Sequence, residues 1–287
     1  SWRRYSYGNF TGIRIMGVFQ NNLLAAASAA ASAGGGGFYS YQIENSVKMS
    51  YDGNSQIIRT LGTASDRKKV TMSYWFKAHS PLNGTQRETQ HVTAGTSGSA
   101  YWLSMASVTN GVFGSYRTEA TGLGYLGAQR ISGGAGWYHL VERYDTTQAT
   151  DSDRWRIYIN GTEVTYATVS PYGPNYPSQN SNVPYLTAAN SLAIGGISGV
   201  GTGQLGTETS FAEFIYTDGQ SYAPTQFGEF KNGVWIPKDP SGTTFGNNGF
   251  HLKFENASDL GNDSSGNNND FTASNSTQIN DSPTFGD

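Results

Sequence analysis

Cysteine is absent from this 287-residue chain. That excludes disulfide staples, zinc–thiolate and iron–sulfur sites and cysteine nucleophiles together. It also tilts the reading toward a microbial or viral source, because secreted animal domains of this size commonly carry disulfides. Charge is scarce as well: Asp, Glu, Lys and Arg make up 14% of residues and the formal net charge is −3. So small an imbalance gives no footprint for nucleic acid or an anionic membrane surface. No apolar run reaches the ~18 residues of a membrane span. Asn22 to Gly37 offers only Leu23 and Leu24 before Ala and Ser, too weakly apolar for the core of a signal peptide.

What the chain has in quantity is glycine (37), tyrosine (18), phenylalanine (14) and tryptophan (6). Aromatics at 13% support a core, and the shortage of Leu, Glu and Lys argues against a helix bundle. The sequence predicts three parts. Residues 1–37 form an N-terminal arm, in which an Ala-rich stretch of good helix propensity runs into the Gly34–Gly37 hinge. Residues 38–230 carry short alternating segments between Gly, Asn, Ser and Pro clusters. Residues 231–287 form a C-terminal extension.

Within the central part Val47/Met49/Tyr51, Val70/Met72/Tyr74/Phe76 and Tyr101/Leu103/Met105 alternate as strands do. Trp137–Asp145 pairs with Trp155–Ile159, and Asn160-Gly161 makes a tight hairpin turn. Leu192–Ile197 and Phe211–Thr217 close the series. Many short strands of this kind imply an all-β fold, a two-sheet antiparallel sandwich. In W-R-I-Y-I-N-G, Trp155, Ile157 and Ile159 share one face while Arg156 and Tyr158 share the other.

In order and spacing these strands resemble the laminin-G-like, concanavalin-like jelly rolls. The carrying segments are V-T-M-S-Y-W-F-K-A (Val70–Ala78), W-Y-H-L-V-E-R-Y-D (Trp137–Asp145), W-R-I-Y-I-N-G (Trp155–Gly161) and F-A-E-F-I-Y-T-D (Phe211–Asp218). A narrower resemblance is to bacteriophage virion-associated proteins, through Tyr41–Val47, Tyr144–Ala149, Gly219–Gly228, Gly233–Lys238, Asn248–Phe254 and Asp263–Phe271. It implies a structural or adhesive component at the particle surface, on head or tail. Its partners would be other capsid or tail proteins, further copies of itself and a host surface glycan. On that reading the arm residues Trp2, Arg3, Arg4, Tyr5, Phe10 and Phe19 pack on a neighbouring subunit. The opening strand unit of laminin-G-like domains stands here at the C-terminal end, as Gly249–Phe254. Supplied back to the same chain, it would complete the sandwich with Phe250, Leu252 and Phe254 facing the core.

Catalysis finds little support in the residues. Glycanases of this fold pair carboxylates on one strand about 5 Å apart, whereas Glu142, Glu163, Glu208, Glu213 and Glu255 have no such neighbour. His79, His91, His139 and His251 are scattered, without metal spacing, and His139 reads as a strand-edge residue bonded to a loop carbonyl. One cofactor has a case. Asp259, Asp263, Asn267 and Asp270, with Asn262 and Asn269, supply hard oxygens suited to Ca²⁺, and equally suit a turn built from Asx side chains. For glycan binding the candidates are Tyr172, Tyr176 and Tyr185 with Asn180 and Asn182. The expectation is a non-enzymatic virion structural protein, a head decoration, fibre or tail adhesin. The alternatives are a free carbohydrate-binding lectin module and, third, a glycan-cleaving enzyme.

Overall fold

The computed structural model describes residues 37–50, 55–79, 89–96, 99–105, 115–118, 124–126, 136–164, 176–183, 187–195 and 208–285. The arm residues Trp2, Arg3, Arg4, Tyr5, Phe10 and Phe19 lie outside them, as do Tyr172 and Tyr185. The chain divides into two units, Ser1–Phe38 and Tyr39–Asp287, and the architecture below is that of the second.

Its strands are β1 (Ser46–Met49), β2 (Gln56–Thr60), β3 (Lys69–Ala78), β4 (Thr89–Thr96), β5 (Ser99–Met105), β6 (Ser115–Thr118), β7 (Gly124–Leu126), β8 (Tyr138–Asp145) and β9 (Trp155–Ile159). They continue as β10 (Thr162–Glu163), β11 (Ser191–Ile194), β12 (Thr209–Asp218), β13 (Gly228–Lys231), β14 (Val234–Pro237), β15 (Phe250–Leu252), β16 (Thr272–Ser274) and β17 (Ser276–Ile279). No α-helix occurs among the described residues. The larger sheet runs β10-β9-β8-β3-β12-β1-β17, with β15 also on β12; the second runs β16-β2-β11-β4-β5-β6-β7. All pairings are antiparallel. The fold is an all-β, two-sheet jelly-roll sandwich.

The main core lies between the sheets. Val47, Tyr74, Phe76, Leu140, Trp155, Ile157, Phe211, Phe214 and Tyr216 come from the larger sheet and Ile57, Val92, Leu192 and Ile194 from the other. Tyr74 stacks on Phe214 with ring centroids 4.5 Å apart. The alternation in β9 works as its sequence implies: Trp155, Ile157 and Ile159 enter this core, Tyr158 packs on the opposite face, and Arg156 bonds Asp153 and Glu163 at the surface. At the turn, Asn160 (φ 48°) and Gly161 (φ 75°) are both left-handed, the pair of angles a two-residue hairpin of matching twist requires.

The C-terminal residues are built into both sheets. β12 meets β3 along one side, and its other side is shared by two short strands, β1 opposite Thr209–Phe211 and β15 opposite Phe214–Tyr216. Phe250, Leu252 and Phe254 point into the core. β17 then pairs with β1 at one edge, and β16 with β2 in the second sheet. Both were silent in the sequence, because Ser-Thr-Gln-Ile and Thr-Ala-Ser are polar edge strands without an apolar face.

Antiparallel sheets commonly leave one face in water. Here β3 is buried at almost every position and β12 at all ten. The outer face is covered by residues that follow β12: Trp235 packs with Trp75, Ala212 and Ile43, and Phe227 with Val141, Tyr158 and Ile215. The indole of Trp235 lies so close to the backbone of Gly161 and Gly228 that a Cβ at either would overlap its ring.

Candidate functional site

The covered outer face holds several buried polar side chains, among them Ser73, His139, Glu213 and His251. Between Ala212 and Ile215 the register of β12 against β3 shifts, and Glu213 sits in this bulge with φ 49°. An L-residue in the left-handed region inside a central strand carries strain, and bulges re-aim side chains. Here the bulge turns Glu213 outward between two inward phenylalanines, Phe211 and Phe214. Its Oε1 accepts a hydrogen bond from Tyr41 Oη–H at 2.6 Å and lies 2.5 Å from His251 Nε2. Burial, and then the adjacent Glu213 carboxylate, push the Tyr41 phenol well above its ordinary range.

Tyr41 and His251 open onto a cleft of about 210 Å³. The turn Asp239–Thr243 closes one side, Phe245 lies against the His251 ring, and Lys253 and Ser264 complete the rim. Lys253 Nζ is 3.5 Å from Glu255 Oε1, and Asp239 Oδ1 accepts the Ser241 N–H. Sequence reasoning singled out Glu213 and His251 separately. Their meeting with Tyr41 left no local signal, since Tyr41 is 172 residues from Glu213; the one clue was a glutamate inside an otherwise apolar run.

Two other polar pairs have the look of catalytic chemistry and not its substance. Ser73 Oγ lies 2.8 Å from His139 Nε2, and Trp235 Nε1–H donates to His139 Nδ1 at 2.9 Å. An indole can only donate, so Nδ1 is the bare nitrogen and Nε2 carries the proton toward Ser73. A histidine in that tautomer cannot deprotonate the serine. Burial also pulls His139 down to about 3. This corrects the strand-edge reading: His139 is 1% exposed in the middle of the sheet, bonded to an indole and a hydroxyl rather than to a loop carbonyl. Glu142 lies on the inner face and accepts the Trp155 Nε1–H at 2.8 Å. Burial pushes its carboxyl up to about 7.

The Asp/Asn-rich loop is knotted on itself. Asp263 Oδ1 accepts the N–H groups of His251 and Ser265, and Oδ2 accepts the Asn269 N–H and the Ser265 hydroxyl. Asp270 Oδ1 accepts the Asp263 N–H. Asn267 and Asn269 point amide nitrogens, not oxygens, at the carbonyls of residues 246, 247 and 249. Asp259 is exposed. The loop thus works as Asx turns pinning β15, and among the described residues no three His, Asp or Glu side chains gather as metal ligands. Of the glycan candidates, Tyr176 is half-buried against the main core. Asn180 and Asn182 are exposed on a loop held by the Asn180 N–H to the Thr146 carbonyl at 2.7 Å.

No protein-family model matches the chain, and no curated protein matches it. Solved structures do. A putative carbohydrate-binding protein from Bacteroides ovatus is 14% identical and aligns over 84% of this chain and 60% of its own, with a TM-score of 0.53. The heptameric SAP-like pentraxin of Limulus polyphemus is 16% identical over 65% of this chain and 82% of its own, with a TM-score of 0.45. Domain 4 of an extracellular arabinanase from Geobacillus stearothermophilus, solved with arabinotriose, is 15% identical over 60% and 85%, with a TM-score of 0.36. At these identities the likeness is one of fold: the chain has the jelly-roll architecture of lectin-like domains.

Proposed function

We infer that this chain is a non-catalytic carbohydrate-binding module of the jelly-roll class. The observation that carries this reading is the arrangement of its buried acids. Glu142 faces the inter-sheet core and Glu213 the outer face of the same sheet, so the two cannot flank one glycosidic bond as a hydrolase requires. The Ser73–His139 pair holds the wrong tautomer for nucleophilic attack. The fold shared with the Bacteroides ovatus protein, described as a putative carbohydrate-binding protein, supports sugar recognition as the use of the scaffold. The purified full chain, printed against an array of bacterial-surface and plant glycans, should bind a defined subset. Reducing-end assays on the bound glycans should show no turnover. Turnover abolished by Glu142→Gln or Glu213→Gln would overturn the reading.

A second reading places the module on a phage particle, as a head decoration or tail adhesin assembled through residues 1–37 with capsid or tail proteins and further copies of itself. What favours it is the sequence resemblance to virion-associated proteins, whose shared segments Gly233–Lys238, Asn248–Phe254 and Asp263–Phe271 here form β14, β15 and the knot that pins β15. Immunogold labelling of purified particles tests it. Labelled particles support the reading, and particles free of label reject it.

A further inference from the structure

We propose that the outer-face cleft between Tyr41, Asp239, Phe245, His251 and Lys253 is the sugar site, and that it takes one uncharged pyranose ring. This assignment rests on the carbohydrate-binding reading above. Size is the first argument. The cleft's volume, about 210 Å³, falls below the roughly 300–1,000 Å³ typical of sites for drug-sized ligands and suits a single ring. Chemistry is the second. Two half-buried aromatic rings, Tyr41 and Phe245, offer apolar surface to the C–H face of a sugar, and the hydroxyls of Ser241 and Ser264 at the rim supply donors and acceptors.

Charge selects among sugars. The basic side chains at the cleft are engaged, His251 Nε2 with Glu213 and Lys253 Nζ with Glu255. Asp239 has one oxygen on its own turn, and no donor among the described residues takes the other. A site whose unmatched charge is a carboxylate accepts sugar hydroxyls and disfavours uronic or sialic acids. Glu213 acts from beneath as a positioning residue. By holding both the Tyr41 hydroxyl and His251 Nε2 through one oxygen, it fixes the ring plane of one wall and the imidazole of the floor. That would give the strained bulge a purpose, since a regular strand would leave residue 213 facing elsewhere.

The test is titration of the isotope-labelled full chain with the methyl glycosides of glucose, galactose and mannose, and with methyl glucuronide, following the His251 imidazole resonances. At least one neutral glycoside should shift them saturably. Tyr41→Ala should weaken that binding about tenfold or more, the equivalent of ~1.4 kcal/mol. Asp239→Asn, on an exposed turn, provides a variant that keeps the fold and should weaken it severalfold. Glu213→Gln should move the imidazole nitrogen shifts in the free protein and raise the dissociation constant, an effect that a purely structural role would not produce at unchanged melting temperature. Neutral sugar binding that ignores Tyr41 and Asp239 and is lost in Tyr176→Ala would overturn the site and leave the carbohydrate reading standing. Preference for the glucuronide would overturn the sugar class. If no glycoside moves any resonance, both fail.

Discussion

On the inner face of the larger sheet Tyr74 stacks on Phe214 and meets Phe211 edge-on, Tyr216 stacks on Phe250, and all share one core with residues of the facing sheet. On the outer face strands β3 and β12 present Ser73, Trp75 and Glu213, beside His139 of β8 and His251 of β15, to a covering layer that includes Trp235. Both faces are dry. The inner one is held by apolar area, at ~25 cal/mol for each Å² removed from water. The outer one adds to its apolar contacts a set of matched hydrogen bonds, each worth about 1 kcal/mol net and more when broken on one side only. Burial by area tolerates many sequences, whereas burial by matched polar groups specifies one geometry. That makes the outer face the place to look for a site.

Substitutions can press on this contrast. The largest effect belongs to Leu252→Asp, which puts an unpaired charge in the inner core and should cost several kcal/mol, read as loss of the urea-unfolding transition or a large fall in its midpoint. A midpoint near wild type would mean that β15 is not part of the core. On the outer face Trp235→Ala should cost about 3–5 kcal/mol. Trp235→Phe keeps most of the volume and should still cost about 1–3 kcal/mol, because His139 Nδ1 loses its donor. An equal cost for both would show that hydrogen bonding dominates; no cost for Trp235→Phe would show that the outer face is held by area after all.

pH acts on buried groups of both faces. Glu142, pushed up to about 7 from its ordinary 4.5 by burial, binds its proton more tightly folded than unfolded. Its contribution is therefore complete below pH 4.5 and lost as pH rises through 7. His91 and His139 are pulled down from 6.5 to about 3 by burial. Theirs is present above pH 6.5 and lost as pH falls toward 3. Stability should peak near pH 6.5, because between pH 4.5 and 6.5 the gain from two histidines outweighs the loss from Glu142. Glu142→Gln should steepen that rise and remove the small decline above the peak, under about 1 kcal/mol. An unchanged pH profile in urea unfolding would contradict this. The smallest effect is expected from chelation. Asp263, with both oxygens on protein donors, has no need of Ca²⁺, and EDTA should leave the melting temperature unmoved. A fall of several degrees would return the loop to the calcium reading.

Strands that bury a face were legible. Val70–Phe76, Trp155–Ile159 and Phe211–Thr217 carry strong apolar residues and became β3, β9 and β12. The strands the sequence hid are those whose neighbours do the burying: β2 reads Gln-Ile-Ile-Arg-Thr and β4 Thr-Gln-His-Val-Thr-Ala-Gly-Thr. Polar strands of that composition are held by their ladders, and ladder partners are not written locally. The same holds at the site. Glu213 stood out as a carboxylate, but the turn at Asp239 and the rim residue Lys253 are ordinary in sequence and acquire a role only beside Tyr41 and His251.

The sequence by itself determined the sandwich, through period-two alternation, glycine-marked turns such as Asn160-Gly161, and aromatic residues numerous enough to fill the space between two sheets. Alternation is a local property, read within a few residues, and it specifies which side chains point inward. What it leaves open is what lies on the other side. Tertiary structure alone decided that the outer face of β12 would be covered, that β1 and β15 would share one lane beside it, and that the bulge at Glu213 would meet Tyr41 and His251. The reason is physical: hydrogen-bond matching acts between specific atoms brought together from distant parts of the chain, and no local pattern encodes where those atoms will meet.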